Sequence, residues 1–150
     1  SATIANRGYF ITPHVVKEVE DEPLDTLYSN KRYTKVRKEH YETVVQGMRA
    51  AVTGGTCRAA NLPGLDVCGK TGTAQNRGKD HSAFMGFAPM DNPKIAVSVY
   101  VENGGWGATY GVPIGALIIE KYLNGKLSPQ SEVKANDIQM RRIDYGIHER

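Results

Sequence analysis

Asp66-Val67-Cys68-Gly69-Lys70-Thr71-Gly72-Thr73-Ala74-Gln75 decides how the rest of the chain is read. With Pro63-Gly64 ahead of it and Asn76-Arg77-Gly78-Lys79-Asp80 behind, it reads as a short strand between two turns. The same letters admit a rival. From Gly64 to Thr71 they fit the phosphate-loop pattern, two glycines separated by four residues and followed by Lys and Thr. That chemistry needs an apolar strand before the first glycine and a helix after the lysine, whose N-terminal amides and dipole hold the anion. Arg58-Ala59-Ala60-Asn61-Leu62-Pro63 is no buried strand, and Gly72 with the Gly78 turn leaves no helix of useful length. The strand reading is preferred, with no nucleotide cofactor and no other cofactor expected.

Working outward, Tyr41, Val44, Val45, Met48 and Val52 recur at helical spacing between Lys38 and Val52, with Gly54-Gly55 as the stop. Thr56 to Leu65 is a connection. After the key stretch, His81 to Ala88 and Ile95 to Val101 read as two more strands separated by Pro89-Met90-Asp91-Asn92-Pro93, and links this short imply an antiparallel meander. Beyond the loop Glu102 to Gly107, the residues Val112, Gly115, Ala116, Ile119, Tyr122 and Leu123 line one helical face that ends at Asn124-Gly125.

The flanks are less regular. Ser1 to Gly8 reads as the last turns of a helix stopped at Gly8, which suggests a fragment of a longer chain. Tyr9 to Val19 reads as an edge or irregular strand interrupted by Pro13, and Asp21 to Arg37 as loop. Residues 126–150 are mostly polar and read as a flexible tail or a short helix docked elsewhere, so the expected division is 1–125 and 126–150.

Composition excludes several classes. The 19 Lys and Arg against 16 Asp and Glu leave a net charge of +3, with the signs interspersed, so no nucleic-acid partner is expected. The cluster Lys31, Arg32, Lys35, Arg37 and Lys38 reads as a solvated face. No apolar run approaches the roughly 20 residues that cross a bilayer. Cys57 and Cys68 are too few for a disulfide framework, and either a pair or two free thiols is open. His14 and His40 are lone histidines, and no metal is assigned.

Several pieces, in order, carry a resemblance. Lys70-Thr71-Gly72-Thr73-Ala74-Gln75 is similar to the third signature of penicillin-recognising serine enzymes in its class B form. Ile4-Ala5-Asn6-Arg7-Gly8-Tyr9 with Thr12-Pro13-His14, Val44-Val45-Gln46-Gly47-Met48 before Gly55-Thr56, and Phe84-Met85-Gly86-Phe87-Ala88-Pro89 look like the same family. Val101-Glu102-Asn103-Gly104-Gly105 most resembles the penicillin-binding protein 2 branch, the cell-elongation transpeptidases. The resemblance covers residues 1 to 125. It implies an α/β (α+β) fold, the C-terminal part of a penicillin-binding-protein and serine β-lactamase-like transpeptidase domain, with an antiparallel sheet and flanking helices. It also implies D,D-transpeptidation, with the D-Ala-D-Ala stem peptide and β-lactams as ligands and other cell-elongation proteins as partners, the alternative being a non-catalytic penicillin-binding sensor or scaffold. The location it implies is a periplasmic domain anchored in the bacterial inner membrane.

On that resemblance Lys70 is the candidate catalytic residue, a fixed positive charge beside nucleophile and substrate carboxylate. Thr71, Gly72 and Thr73 are the candidate substrate-binding residues, the Thr73 N–H completing the oxyanion hole. Strict alternation puts Lys70 and Thr73 on opposite faces, so twist or approach over the strand edge must reconcile them. The family's nucleophile, in Ser-x-x-Lys, precedes this strand, and none does here. Ser131-Glu132-Val133-Lys134 matches as a string but comes after the sheet, and Tyr28-Ser29-Asn30 is out of order for the Ser-x-Asn signature. The 150 residues alone are therefore expected to be inactive. Asp80, His81 and Ser82 offer triad residue types, but neighbours on a strand face opposite ways. Trp106 is expected to pack onto the last helix, and Ile95 to Val101 to expose an unpaired edge through which chains self-associate.

Overall fold

A computed structural model describes residues 1–145. In chain order it contains α1 (Ala2–Ala5), β1 (Tyr9–Phe10), α2 (Thr26–Ser29), β2 (Arg32–Tyr33) and α3 (Lys38–Thr53), then a single 3-10 turn at Arg58–Ala60. The strands β3 (Cys68–Ala74), β4 (His81–Ala88) and β5 (Ile95–Val101) follow, and the helices α4 (Gly111–Asn124) and α5 (Pro129–Met140) complete it. The three long strands form the expected antiparallel meander in the order β3-β4-β5. Thr71 pairs with Phe84 and Thr73 with Ser82, while Phe84 in turn pairs with Val99.

Strand alternation divides the core in two. Phe84, Ala88, Val97 and Val99 point to the face covered by Val112, Ala116 and Ile119 of α4, with Val52 of α3 and Cys57 filling the margin. Cys68 and Phe87 point the other way, onto Val45 and Met48 of α3 and Ala5 of α1. Burying each of these larger side chains contributes roughly 1.5–3 kcal/mol. Phe84 lies in a slot made of glycines: a β-carbon added at Gly69, Gly86 or Gly115 would come within 2.5, 2.6 and 2.5 Å of its ring atoms. The ring thus ties β3, β4 and α4 together at one point.

The helices end as their sequences direct. α3 stops where the Gly54 N–H reaches the Ala50 carbonyl, and α4 stops at Gly125, whose φ of +72° suits a residue without a β-carbon. Within α4 the buried stripe includes Glu120, whereas Tyr122, expected on that face, is 62% exposed. The stripe is displaced because α5 packs against α4, with Glu120 Oε1 accepting the Ser128 N–H at 3.1 Å just ahead of α5.

Within the stretch read as a flexible tail or a short helix docked elsewhere, residues 129–140 form a helix. Ser128 caps it by accepting the Ser131 N–H, Pro129 occupies its first turn, and Ser131 is buried. The expected strand over Tyr9 to Val19 shrinks to Tyr9–Phe10, paired with Arg32–Tyr33. Beyond it Pro13 lacks a donor, Val15 is fully exposed, and the only further pairing up to Val19 among the described residues is the isolated bridge of Val19 with Glu22. Within the expected loop 21–37, Asp25 caps the short helix α2 by accepting the Leu27 N–H.

Candidate functional site

Lys70, Thr71, Gly72 and Thr73 occupy the middle of β3, which pairs with β4 on one side and with no strand on the other among the described residues. Such an edge offers a row of N–H and C=O groups to an extended chain. Lys70 lies directly opposite Met85 and is exposed. Its Nζ turns back and donates to the Thr71 carbonyl at 2.9 Å, which brings the ammonium beside the backbone of its own strand. No helix follows until Gly111, so the phosphate-loop reading fails.

Alternation is strict. Thr71 and Thr73 share the face of Phe84 and Ser82, and Lys70 and Gly72 share the other. The four residues meet along one edge rather than on one face. The Thr71 hydroxyl lies 2.9 Å from that of Thr56, in the link between α3 and the 3-10 turn, and this contact holds the side chain in place. A β-carbon on Gly72 would sit 3.3 Å from the Ala83 β-carbon. Arg49 of α3 anchors the approach to β3, donating to the Val67 carbonyl at 3.0 Å and to Asp66 at 3.1 Å.

The segment after β5 folds back over the same strands. Ser82 is fully buried; its hydroxyl donates to the Trp106 carbonyl at 2.8 Å and accepts the Gly111 N–H at 3.0 Å. Gly107 is pressed so closely onto the sheet that a β-carbon there would fall 2.6 Å from the Gly72 carbonyl oxygen and 3.0 Å from Thr71 Cβ. Trp106, expected to pack on the last helix, is 74% exposed. Its carbonyl is held by Ser82 and by the Thr109 N–H at 2.8 Å, and the residue lines an open depression together with Gly78, Lys79 and Asp80.

Other candidates disperse. His81 Nδ1 accepts the Asn103 N–H at 3.0 Å, and the Asp80 carbonyl accepts the Gly105 N–H, so Asp80, His81 and Ser82 each serve the loop rather than one another. Ser131 and Lys134 lie on α5, and the Ser29 hydroxyl bonds to the Asp25 carbonyl. Cys57 and Cys68 are free and buried, which raises the pKa of both, that of Cys68 to about 11 despite nearby Arg49 and Arg7. Among the described residues no cluster of His, Cys, Asp and Glu is placed to hold a metal ion. Sequence reasoning missed the parts played by Thr56, Ser82 and Gly107. Ser82 left one signal: it stands two residues before Phe84, on the inward alternation, where a hydroxyl must find a partner.

Comparison with known proteins gives the same picture. The family described as the penicillin binding protein transpeptidase domain matches residues 1–123. Peptidoglycan D,D-transpeptidase MrdA of Haemophilus influenzae is 32% identical, over 93% of this chain and 25% of that protein. The crystal structure of Pseudomonas aeruginosa PBP2 in complex with WCK 5153 superposes with a TM-score of 0.70 at 35% identity, over 86% of this chain and 30% of that one. The imipenem acyl-enzyme of penicillin-binding protein A from M. tuberculosis gives 0.66 at 30% identity, over 81% and 28%. The chain thus spans between a quarter and a third of the length of each of these three proteins.

Proposed function

The chain belongs to the penicillin-binding protein transpeptidase domain family, and from that premise we propose that its strand β3 is the peptide-docking wall of a D,D-transpeptidase of the PBP2 type. In this reading a D-Ala-D-Ala stem peptide lies along the free edge of β3 and bonds to it main chain to main chain. The Lys70 ammonium attracts the terminal carboxylate, and the Thr71 and Thr73 hydroxyls bond to it. The Thr73 N–H stabilises the oxyanion as a serine attacks the penultimate carbonyl. That serine stands outside the 150 residues; an acyl-enzyme forms, D-Ala leaves, and an amine from a neighbouring stem peptide resolves the ester.

The observation that supports this reading is the position of Lys70 to Thr73 on a strand edge without a strand partner among the described residues. β-Lactams, as mimics of the same dipeptide, would dock there too. The protein would work at the outer face of the bacterial inner membrane beside other cell-elongation proteins. The outer edge of β5, also without a strand partner among the described residues, supports pairing with a further chain.

Titrating the 15N-labelled chain with a diacylated Lys-D-Ala-D-Ala peptide tests the docking wall. Amide shifts confined to Lys70–Ala74 and lost in Lys70→Ala are expected, and fluorescent penicillin should leave this chain unlabelled. Saturable shifts with ATP in place of peptide, or covalent penicillin labelling of these 150 residues, would refute the assignment.

A further inference from the structure

The residues from Gly104 to Gly111 lie flat on the β3-β4 pair, and the contacts that hold them there converge on one side chain. Ser82 sits opposite Thr73 in the ladder with no exposed surface. Its hydroxyl is used twice, as donor to the Trp106 carbonyl and as acceptor from the Gly111 N–H. Three glycines make the close approach possible: added β-carbons would meet Ser82 Cβ at 2.9 Å from Gly104, the Ala83 carbonyl oxygen at 2.5 Å from Gly107, and the Ala83 carbonyl carbon at 2.9 Å from Gly111. All three of these contacts lie on β4, and Gly107 also reaches across to Thr71 and Gly72, the residues that would grip the peptide.

We propose that Ser82 is a positioning residue: its hydroxyl latches the loop 104–111 onto β3, so that Gly107 backs the Thr71–Gly72 peptide and Trp106 stands as a fixed aromatic at the end of the docking edge. This rests on the reading of β3 as the docking wall. A buried hydroxyl with both roles taken is a two-point clasp, and its loss leaves the Trp106 carbonyl and the Gly111 N–H without their partner. The backing of β3 then loosens while the β3-β4 ladder, made by the backbone, stays in register. Trp106 is the only tryptophan of the chain, so its emission reports on this loop alone.

The experiment compares the chain with Ser82→Ala, Gly107→Ala and the double variant. Ser82→Ala is expected to lower the fluorescence anisotropy of Trp106 and to weaken binding of the diacylated Lys-D-Ala-D-Ala peptide about three- to tenfold, the scale of one lost buried hydrogen bond. The β4 and β5 amide resonances should stay in place. Gly107→Ala, which lifts the loop by sterics and keeps the hydroxyl, should weaken peptide binding similarly. The double variant should bind no more weakly than the worse single one, because both changes act through one loop. A purely structural Ser82 would lower the melting temperature without this coupling in peptide affinity. If Ser82→Ala fails to fold, Gly107→Ala carries the test on the same peptide readout. Peptide shifts that persist at wild-type affinity in both single variants, or strict additivity in the double, would overturn the latch alone. Absence of peptide shifts at β3 in the unmodified chain would overturn the docking wall and the latch with it.

Discussion

Phe84 and the glycines around it allow a sharp test of how the sheet is held. Gly115 lies mid-helix in α4, and changing it to alanine in open solvent would stabilise the helix by about 1 kcal/mol through propensity. Here the new methyl would fall 2.5 Å from Phe84 Cε1, well inside any real contact, and the ring is 2% exposed with Gly69 and Gly86 closing its other sides. Neither ring nor helix has room to retreat, and overpacking of this kind costs about 1–3 kcal/mol. Net destabilisation by Gly115→Ala of up to about 2 kcal/mol follows from these two figures, or up to about 8 °C in midpoint temperature for a chain of this size. Phe84→Leu removes Cε1 and the rest of the outer ring and lets the shorter branch rotate away, at the cost of a small cavity. The pair Gly115→Ala with Phe84→Leu should therefore be more stable than the sum of the single effects by about 0.5–3 kcal/mol. Urea denaturation of the four proteins gives the answer from the midpoints, provided the slopes agree. Strict additivity would mean that the ring does not bridge α4 and β3 as described.

Two further outcomes follow from buried ionisable groups. Burial raises the Cys68 thiol from its ordinary 9.0 to about 11, so the folded chain keeps a proton that the unfolded chain releases. Stability should fall as pH rises from about 9 to about 11, Cys68→Ala should flatten that slope, and an unchanged slope would contradict the burial. Burial alone would raise Glu120, but the Ser131 and Ser128 hydroxyls, the Ser128 N–H and the Lys134 charge outweigh it and leave its pKa below the ordinary 4.5. Its contribution is thus present above that value and lost as pH falls through the lower folded one. Glu120→Ala should release α5 by about 1.5–3 kcal/mol, seen as faster amide exchange across Pro129–Met140, and unaltered protection there would refute the anchoring of α5 by Glu120.

What could be read from the chain follows periodicity. The helices ending at Thr53 and Asn124 each have an apolar face of helical period, and the strands of the meander are apolar runs bounded by turn residues, so these elements announce themselves. The strand that carries Lys70–Thr73 was legible for a different reason: turn residues bracket it on both sides. α5 was not, because it docks through Ser131 and a carboxylate on another helix, and a hydropathy pattern does not register such contacts. β1 and β2 were obscured because two-residue strands are set by cross-strand pairs such as Tyr9 with Tyr33, which lie 24 positions apart. Ser82 looked like one member of a hydrolase trio, and only its distance from Trp106 and Gly111 reveals its real neighbours.

Among the described residues, the ladder order β3-β4-β5 leaves the middle strand alone paired on both sides. Each outer strand keeps alternate amides and carbonyls turned outward, half a zipper awaiting its other row. A peptide docking at β3 as proposed would therefore need no rearrangement of the sheet, since the spacing of its outward groups is already set by pairing with β4.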